Sequence, residues 1–361
     1  MRGLKIQLLS NALKSALRRH SSSSSVATNF DLDGVFVPIP TPYRANGDVD
    51  YGALAYNFER WEKIPFRGYC VGGSNGEGPY LKAEEKLEMV SKIRSMIGKD
   101  KLLIAGTTCE STKLTCDLSK AAAEVGADGV LVMSPFYFKT RMTENSLYDH
   151  FVSVADSCPA PVIVYNMVPV TGIDLSVDVL KKMSLHPNIV GVKDKDMGKL
   201  AALVTETQDQ KFQIVAGSAS YLLAAMLVGC SGGINGLAAV LGEPLCKMHK
   251  LAVAGQWQEA LELQRKLVNI DLLLMQECGP AGLKAAMELL GYKGGLCRSP
   301  LPPISDEKVA KIKRTLEKRW IFVMKLNETK KNPLHFLQNH IIYIFLLQTK
   351  VNILFYTNTY N

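Results

Sequence analysis

Eight short apolar runs recur along the chain, each followed by a stretch of helical character. They fall at residues 34–40, 68–74, 101–108, 129–135, 161–167, 188–194, 212–218 and 229–236. Each is apolar at nearly every position, which suits parallel strands covered on both faces. In the intervening stretches Leu54, Phe58 and Trp61 are spaced i, i+4, i+7. Leu147, Phe151 and Val154 share one helical face, as do Leu114, Leu118 and Val125. Gly126 stands where a helix should stop, directly before the fourth run. Eight such units predict an α/β fold, a closed (β/α)₈ TIM barrel. An open doubly wound sheet is the alternative, and the even spacing favours closure.

Past Leu241 the strand pattern ceases. EPLCKMHKLAVAGQWQEALELQRKLVNIDLLL and GLKAAMELLG read as helices, and the proline-rich PLPPIS leads to a last helix with Ser305 as N-cap. The expected organisation is therefore a leader over 1–28, the barrel over 29–241, a C-terminal helical region over 242–320 and an irregular extension over 321–361. The leader is basic, serine-rich and free of acids, the pattern of a mitochondrial transit peptide, which predicts a matrix location. The extension is rich in Ile, Phe, Asn and Tyr without a helical stripe. Its apolar core, IIYIFLL, is too short to span a bilayer, and no other run approaches the required length.

A hydrophobic content of 47% excludes disorder throughout. The net charge of +8 resides wholly in the two ends: residues 1–30 carry +5 and residues 321–361 carry +3. The neutral body offers no electrostatic footprint for nucleic acid. The eight cysteines are scattered, with no C-x-x-C pair, and read as reduced, mostly buried thiols; neither a disulfide framework nor a zinc site is visible.

In barrels of this kind chemistry sits where the strands end. Those ends carry Thr41, Ser74, Asn75, Thr107, Thr108, Tyr137, Tyr165, Lys193, Gly217, Ser218 and Asn235. Lys193 closes an apolar run, NIVGV, where an ammonium is costly. Burial there lowers its pKa and leaves a nucleophilic amine, able to form a Schiff base with a ketone. The competing reading is a lysine paired with Asp194 or another acid. Lys195, two residues on, either shares its side and depresses its pKa further or swings out to solvent. Tyr165 ends another apolar strand, and a phenol near an imine can move protons. It reads equally as a tyrosine hydrogen-bonded at the rim. VGGSNGEGP contains G-x-S-x-G, the pattern of a hydrolase elbow. A triad would also need a histidine, and His150, His186 and His249 lie in helical or helix-end segments. The glycines instead let backbone N–H groups approach a carboxylate, with Ser74 and Asn75 adding donors.

The ordered set GGSNGE, PFYFKTRM, YNMVPVTG, VGVKD and AGSAS resembles the dihydrodipicolinate synthase / N-acetylneuraminate lyase family over residues 31–320. Within the family, the SNGE turn, the K-x-R after the tyrosine and the basic leader are most similar to the mitochondrial 4-hydroxy-2-oxoglutarate aldolases. The resemblance implies that Lys193 forms an imine with a 2-oxo acid and that Tyr165 shuttles the proton. It implies that Ser74 and Asn75 hold the substrate carboxylate, with Ser74 in the proton relay. Tyr137 would complete that relay from a neighbouring subunit, and Gly217 and Ile234 would line the pyruvate pocket. A small-molecule 2-oxo acid as partner follows, with neither metal nor organic cofactor, no nucleic acid and no membrane. The implied assembly is at least a homodimer and commonly a homotetramer.

Two departures bear on the substrate. Dihydrodipicolinate synthases carry an arginine directly before the Thr-Gly pair of the YN…TG motif; here that residue is Val170. The aldolases usually have serine two residues after the imine lysine; here it is Lys195. Lys195, Lys139 or Arg141 could supply a cation for a distal carboxylate. The expected activity is class I cleavage of 4-hydroxy-2-oxoglutarate to pyruvate and glyoxylate, in hydroxyproline breakdown. The alternatives are another pyruvate-dependent member of the family and a non-catalytic barrel scaffold.

Overall fold

A computed structural model describes residues 30–331. Eight parallel strands close into a barrel in sequence order, β1 (Gly34–Pro38), β2 (Gly68–Val71), β3 (Leu102–Gly106), β4 (Gly129–Met133), β5 (Val162–Tyr165), β6 (Ile189–Asp194), β7 (Gln213–Ala216) and β8 (Gly232–Ile234). Closure is made by β8 pairing with β1, Phe36 standing beside Ile234. Helices α1 (Tyr51–Trp61), α2 (Ala83–Met96), α3 (Thr112–Glu124), α4 (Glu144–Ser157), α5 (Val177–Met183), α6 (Met197–Glu206) and α7 (Leu222–Val228) follow the first seven strands. The eighth, α8 (Ala238–Val253), is kinked at Leu241 and carries Pro244, whose ring cannot continue a regular helix ladder. Two helical segments thus meet at Leu241, the residue at which the barrel was expected to end.

The apolar residues divide between two cores, as alternation along a strand requires. Phe36, Cys70, Ile104, Leu131, Ile163, Val215 and Ile234 fill the barrel interior. Val35, Val37, Tyr69, Val71, Val130, Val132, Val164 and Val192 face outward and pack under the helices. The β5–β6 ladder carries one irregularity: Ile189 pairs with Val162, but Gly191 pairs with Ile163. Skipping Val190 resets the phase, so Lys193 stands beside the inward-facing Tyr165. Irregularities of this kind commonly re-aim a side chain next to a site.

Gly126 takes φ +113 just past α3, as its position predicted. The buried face of α3 differs from expectation. Leu114 is 57% exposed, and the helix buries Thr115, Leu118, Ser119 and Ala122 instead. The Thr115 hydroxyl donates to the Cys109 carbonyl, and Ser119 hydrogen-bonds Thr107 at 2.7 Å. Polar side chains whose hydrogen bonds are met can occupy the inner face, and hydrophobicity alone does not reveal this.

The C-terminal region comprises α9 (Trp257–Leu272), a π-helical turn (Leu273–Cys278), α10 (Gly279–Leu289) and α11 (Asp306–Lys331). α11 bends at Trp320 but continues to Lys331. Residues 321–331 are thus helical, where an irregular extension was expected. The rest of that extension, and the leader over 1–28, lie outside the described residues. All eight cysteines are free thiols, but only Cys70, Cys158, Cys230 and Cys246 are fully buried. No helix among the described residues is long and apolar enough to cross a membrane.

Candidate active site

Lys193 occupies the next-to-last position of β6, inside the barrel, and is 4% exposed. Its ammonium lies 4.0 Å from the centre of the Tyr165 ring. Burial pulls its pKa down from 10.5 to about 8, while the nearby Cys70 thiol pulls weakly the other way. The ion-pair alternative is not formed. Asp194, the next residue, faces the opposite way and accepts hydrogen bonds from Asn166 Nδ2 at 2.7 Å and from the backbone N–H of Asp196 at 2.8 Å. Asn166 follows Tyr165, so the two residues just past the reactive pair tie β5 to β6 on the far side of the wall. Asn166 Oδ1 also accepts from the Leu175 N–H. The sequence reading missed this Asn166–Asp194 clamp; its signal is a polar pair on consecutive strands, each directly after a candidate site residue.

Burial pushes the Tyr165 phenol up to about 12, partly offset by Lys195 and by a hydrogen bond with the Ser74 hydroxyl. The phenol also donates to Met167 Sδ at 3.1 Å. Tyr165, Ser74 and Lys193 are therefore brought together. Ser74 and Asn75 begin a one-turn 3₁₀ helix, Ser74–Gly76. Gly72, at φ +68, turns the chain into it. Asn75 Nδ2 lies so close to Gly236, at the end of β8, that a Cβ there would fall 2.5 Å from it. The turn after β2 thus reaches across the barrel mouth to β8.

Gly217 donates its N–H to the Asp194 carbonyl at 2.7 Å, and Ile234 lines the interior beside β1. Lys195 is half-buried and lies across Gly217. It acts on Tyr165 and on the buried Asp271, whereas the lowering of Lys193 comes from burial. Lys139 and Arg141 sit on an exposed turn, and Lys139 Nζ reaches Gly172 beside the one-turn helix Val168–Thr171. Val170 on that helix is 44% exposed.

Tyr137 is not brought to Ser74 within the chain. It is 76% exposed, edge-on to Phe138, with ring centres 4.9 Å apart. The carboxylate of Glu110 holds its loop by accepting the backbone N–H groups of Phe136 and Tyr137. The hydrolase alternative fails on geometry. His150 bonds Thr112, His186 bonds Asp156 and His249 bonds Asp33, and none of them approaches Ser74. No cluster of three or more His, Cys, Asp or Glu able to hold a metal occurs among the described residues.

A buried amine near neutrality, set against a phenol that is hydrogen-bonded to a serine, can form an imine and move a proton at it. Residues 31–319 match the dihydrodipicolinate synthetase family. The chain belongs to that family. Among curated relatives, the 4-hydroxy-tetrahydrodipicolinate synthase of Haloarcula marismortui is 31% identical over 80% of this chain and 94% of its own length. That of Acidiphilium cryptum is 32% identical over 78% and 97%. Among solved structures, the dihydrodipicolinate synthase of Aquifex aeolicus superposes with a TM-score of 0.75 at 30% identity, covering 80% of this chain and 98% of that one. The chloride-inhibited dihydrodipicolinate synthase of Acinetobacter baumannii, complexed with pyruvate, gives 0.76 at 29%, covering 80% and 99%. Membership of the dihydrodipicolinate synthetase family makes the chain a lyase of the pyruvate-dependent, Schiff-base kind.

Proposed function

We propose that the protein is a class I aldolase that cleaves 4-hydroxy-2-oxoglutarate into pyruvate and glyoxylate. The observation that carries the chemistry is the buried Lys193 amine, without an acidic partner among the described residues, against the Tyr165 ring. Lys193 attacks the C2 ketone and water leaves, giving a protonated imine. Tyr165 takes the C4 hydroxyl proton as its own proton passes on through the Ser74–Tyr137 relay. The C3–C4 bond breaks, glyoxylate departs, and the bonding pair flows to the imine nitrogen as an enamine. Protonation at C3 and hydrolysis release pyruvate and restore the amine. Ser74 and Asn75 hold the C1 carboxylate, with Gly217 and Ile234 along the pocket wall.

The substrate rests on Val170. The synthase resemblance implies an arginine there for a second substrate's carboxylate, and an exposed valine cannot bind one. The distal carboxylate of 4-hydroxy-2-oxoglutarate would meet Lys195 or, from the rim, Lys139 or Arg141. The second reading is 4-hydroxy-tetrahydrodipicolinate synthase, favoured by the synthases of Haloarcula marismortui and Acidiphilium cryptum at 31% and 32% identity. Parallel assays decide between them: glyoxylate release from 4-hydroxy-2-oxoglutarate, against condensation of pyruvate with aspartate semialdehyde. Turnover in the second assay only, or a preference for N-acetylneuraminate cleavage, refutes the proposal. Borohydride reduction with pyruvate is expected to leave a covalent adduct on Lys193; its absence by mass spectrometry refutes catalysis and supports a scaffold.

The exposed Tyr137–Phe138 pair supports an assembly of at least two copies, in which Tyr137 enters the partner's relay. Mixing inactive Tyr137→Ala and Lys193→Ala proteins should then restore part of the activity, and no recovery argues against shared sites. The basic leader supports a place in the mitochondrial matrix, testable by fusing residues 1–28 to a fluorescent reporter.

A further inference from the structure

The turn that bears Ser74 and Asn75 ends in an unusual residue. Glu77 takes φ +55, the sole non-glycine residue at positive φ among those described. This left-handed conformation is strained for a residue with a side chain, so something else must hold it. Its carboxylate is buried and pairs with buried Lys284 of α10, with Nζ–Oε1 at 2.5 Å. Its second oxygen accepts the Arg298 N–H at 2.8 Å. Lys284 also donates to the Leu296 carbonyl. Arg298 in turn grips Glu85 through two nitrogens and donates to the Tyr80 and Gly47 carbonyls. Every one of these partners of Glu77 belongs to the C-terminal region, far away in the chain. From the barrel side, the Thr41 hydroxyl donates to the Gly76 carbonyl at 2.7 Å.

A buried ion pair is a weak source of net stability, because desolvation offsets its attraction. It does fix geometry, since its partners tolerate no other arrangement. Here it fixes the residue that follows the Ser74–Gly76 turn. We propose that Glu77 and Lys284 are positioning residues: the C-terminal helical region, through this pair, sets the turn that grips the substrate's carboxylate. The inference rests on the reading that Ser74 and Asn75 bind that carboxylate. It assigns α10 a part in substrate affinity, although none of its side chains is placed in the pocket.

The test uses the full chain and two readouts: the pyruvate concentration that half-saturates borohydride trapping of Lys193, and the melting temperature. Glu77→Gln keeps the shape and one acceptor for Lys284 but removes the charge. Lys284→Met removes the donor. Each is expected to raise the half-saturating concentration about tenfold, the scale of one misplaced charge-assisted hydrogen bond, with trapping at saturation nearly unchanged. Lys284→Arg, which keeps the pair, should stay near the parent. Asn75→Ala provides the control for the underlying reading. If Asn75→Ala weakens pyruvate binding and folded Glu77→Gln does not, the inference is overturned. If Asn75→Ala itself has no effect, the carboxylate reading falls instead. Loss of folding in both Glu77→Gln and Lys284→Met would make the pair structural only and overturn the positioning role.

Discussion

Tyr165 and Lys193 are register partners on neighbouring parallel strands, and the lysine's ammonium lies over the tyrosine's ring. The phenol's hydroxyl extends past the amine to Ser74 and Met167. The same residue thus supplies a π-face to the nucleophile and a proton carrier to the chemistry beyond it.

Those two roles separate on mutation. Tyr165→Phe keeps the ring and loses the hydroxyl. Turnover should fall by about 10²–10⁴-fold, the usual worth of a general acid–base group. Borohydride trapping with pyruvate should persist. Equal loss of both would mean that the phenol is needed to build the imine itself.

The pKa of Lys193 sets a pH signature. Its burial-lowered value of about 8 means that imine formation should rise tenfold per pH unit below 8 and level off above it. Stability moves in the same direction. Between pH 8 and 10.5 the unfolded lysine is protonated and the folded one is not, so stability rises with pH across that window. Below pH 8 the full burial penalty stands. Lys193→Met should therefore stabilise the inactive protein at pH 7 by about 3 kcal/mol, less the cost of repacking. Urea unfolding at pH 7 and pH 10 measures it; a destabilised variant at pH 7 would contradict the burial argument.

Gly236 leaves no room for a larger residue beside the carboxylate turn. A Cβ there would stand 2.4 Å from Met275 Sδ and 2.5 Å from Asn75 Nδ2. Met275 is flexible and can yield, but Asn75 must shift. Gly236→Ala should weaken pyruvate binding by about tenfold, the loss of one hydrogen bond to a charged group, with folding retained. Isothermal titration gives the affinity; an unchanged value would place Asn75 outside the contact.

His150 predicts acid sensitivity unconnected with the site. It is buried, its Nδ1 bonds Thr112, and its Nε2 has no partner. Burial pulls its pKa from 6.5 down to about 4. Between those values the unfolded chain binds a proton that the folded one refuses, so stability falls as pH drops from 6.5 to 4, by about 3 kcal/mol. His150→Gln should flatten this slope relative to the parent in denaturant melts at pH 7 and pH 4.5.

The barrel was legible because parallel strands covered on both faces write continuous apolar runs, and all eight were readable in order. Helix α3 was misread in part because Thr115 and Ser119 occupy its inner face through hydrogen bonds, which periodicity does not register. Residues 321–331 lack an apolar stripe yet continue α11, whose strong start at Asp306 lies well upstream. At the site, Lys193 stood out as a charge at the end of an apolar run. Whether it was paired was not readable, because which way Asp194 points depends on the irregularity between β5 and β6. The Glu77–Lys284 pair was invisible for another reason: it joins segments more than two hundred residues apart. Neither segment alone announces the other.

An amine whose proton is loosened by burial, with no carboxylate paired to it among the described residues, has a consequence for selectivity. The iminium cannot shed its positive charge by losing a proton to water as the amine can, and no carboxylate among the described residues is paired with Lys193 to offset it. The neutralising anion has to travel in on the visitor, next to the carbonyl under attack, and it leaves again with the product. Plain aldehydes and ketones bring no such passenger, so the chamber turns them away at the moment of bond making, however well they fit its walls.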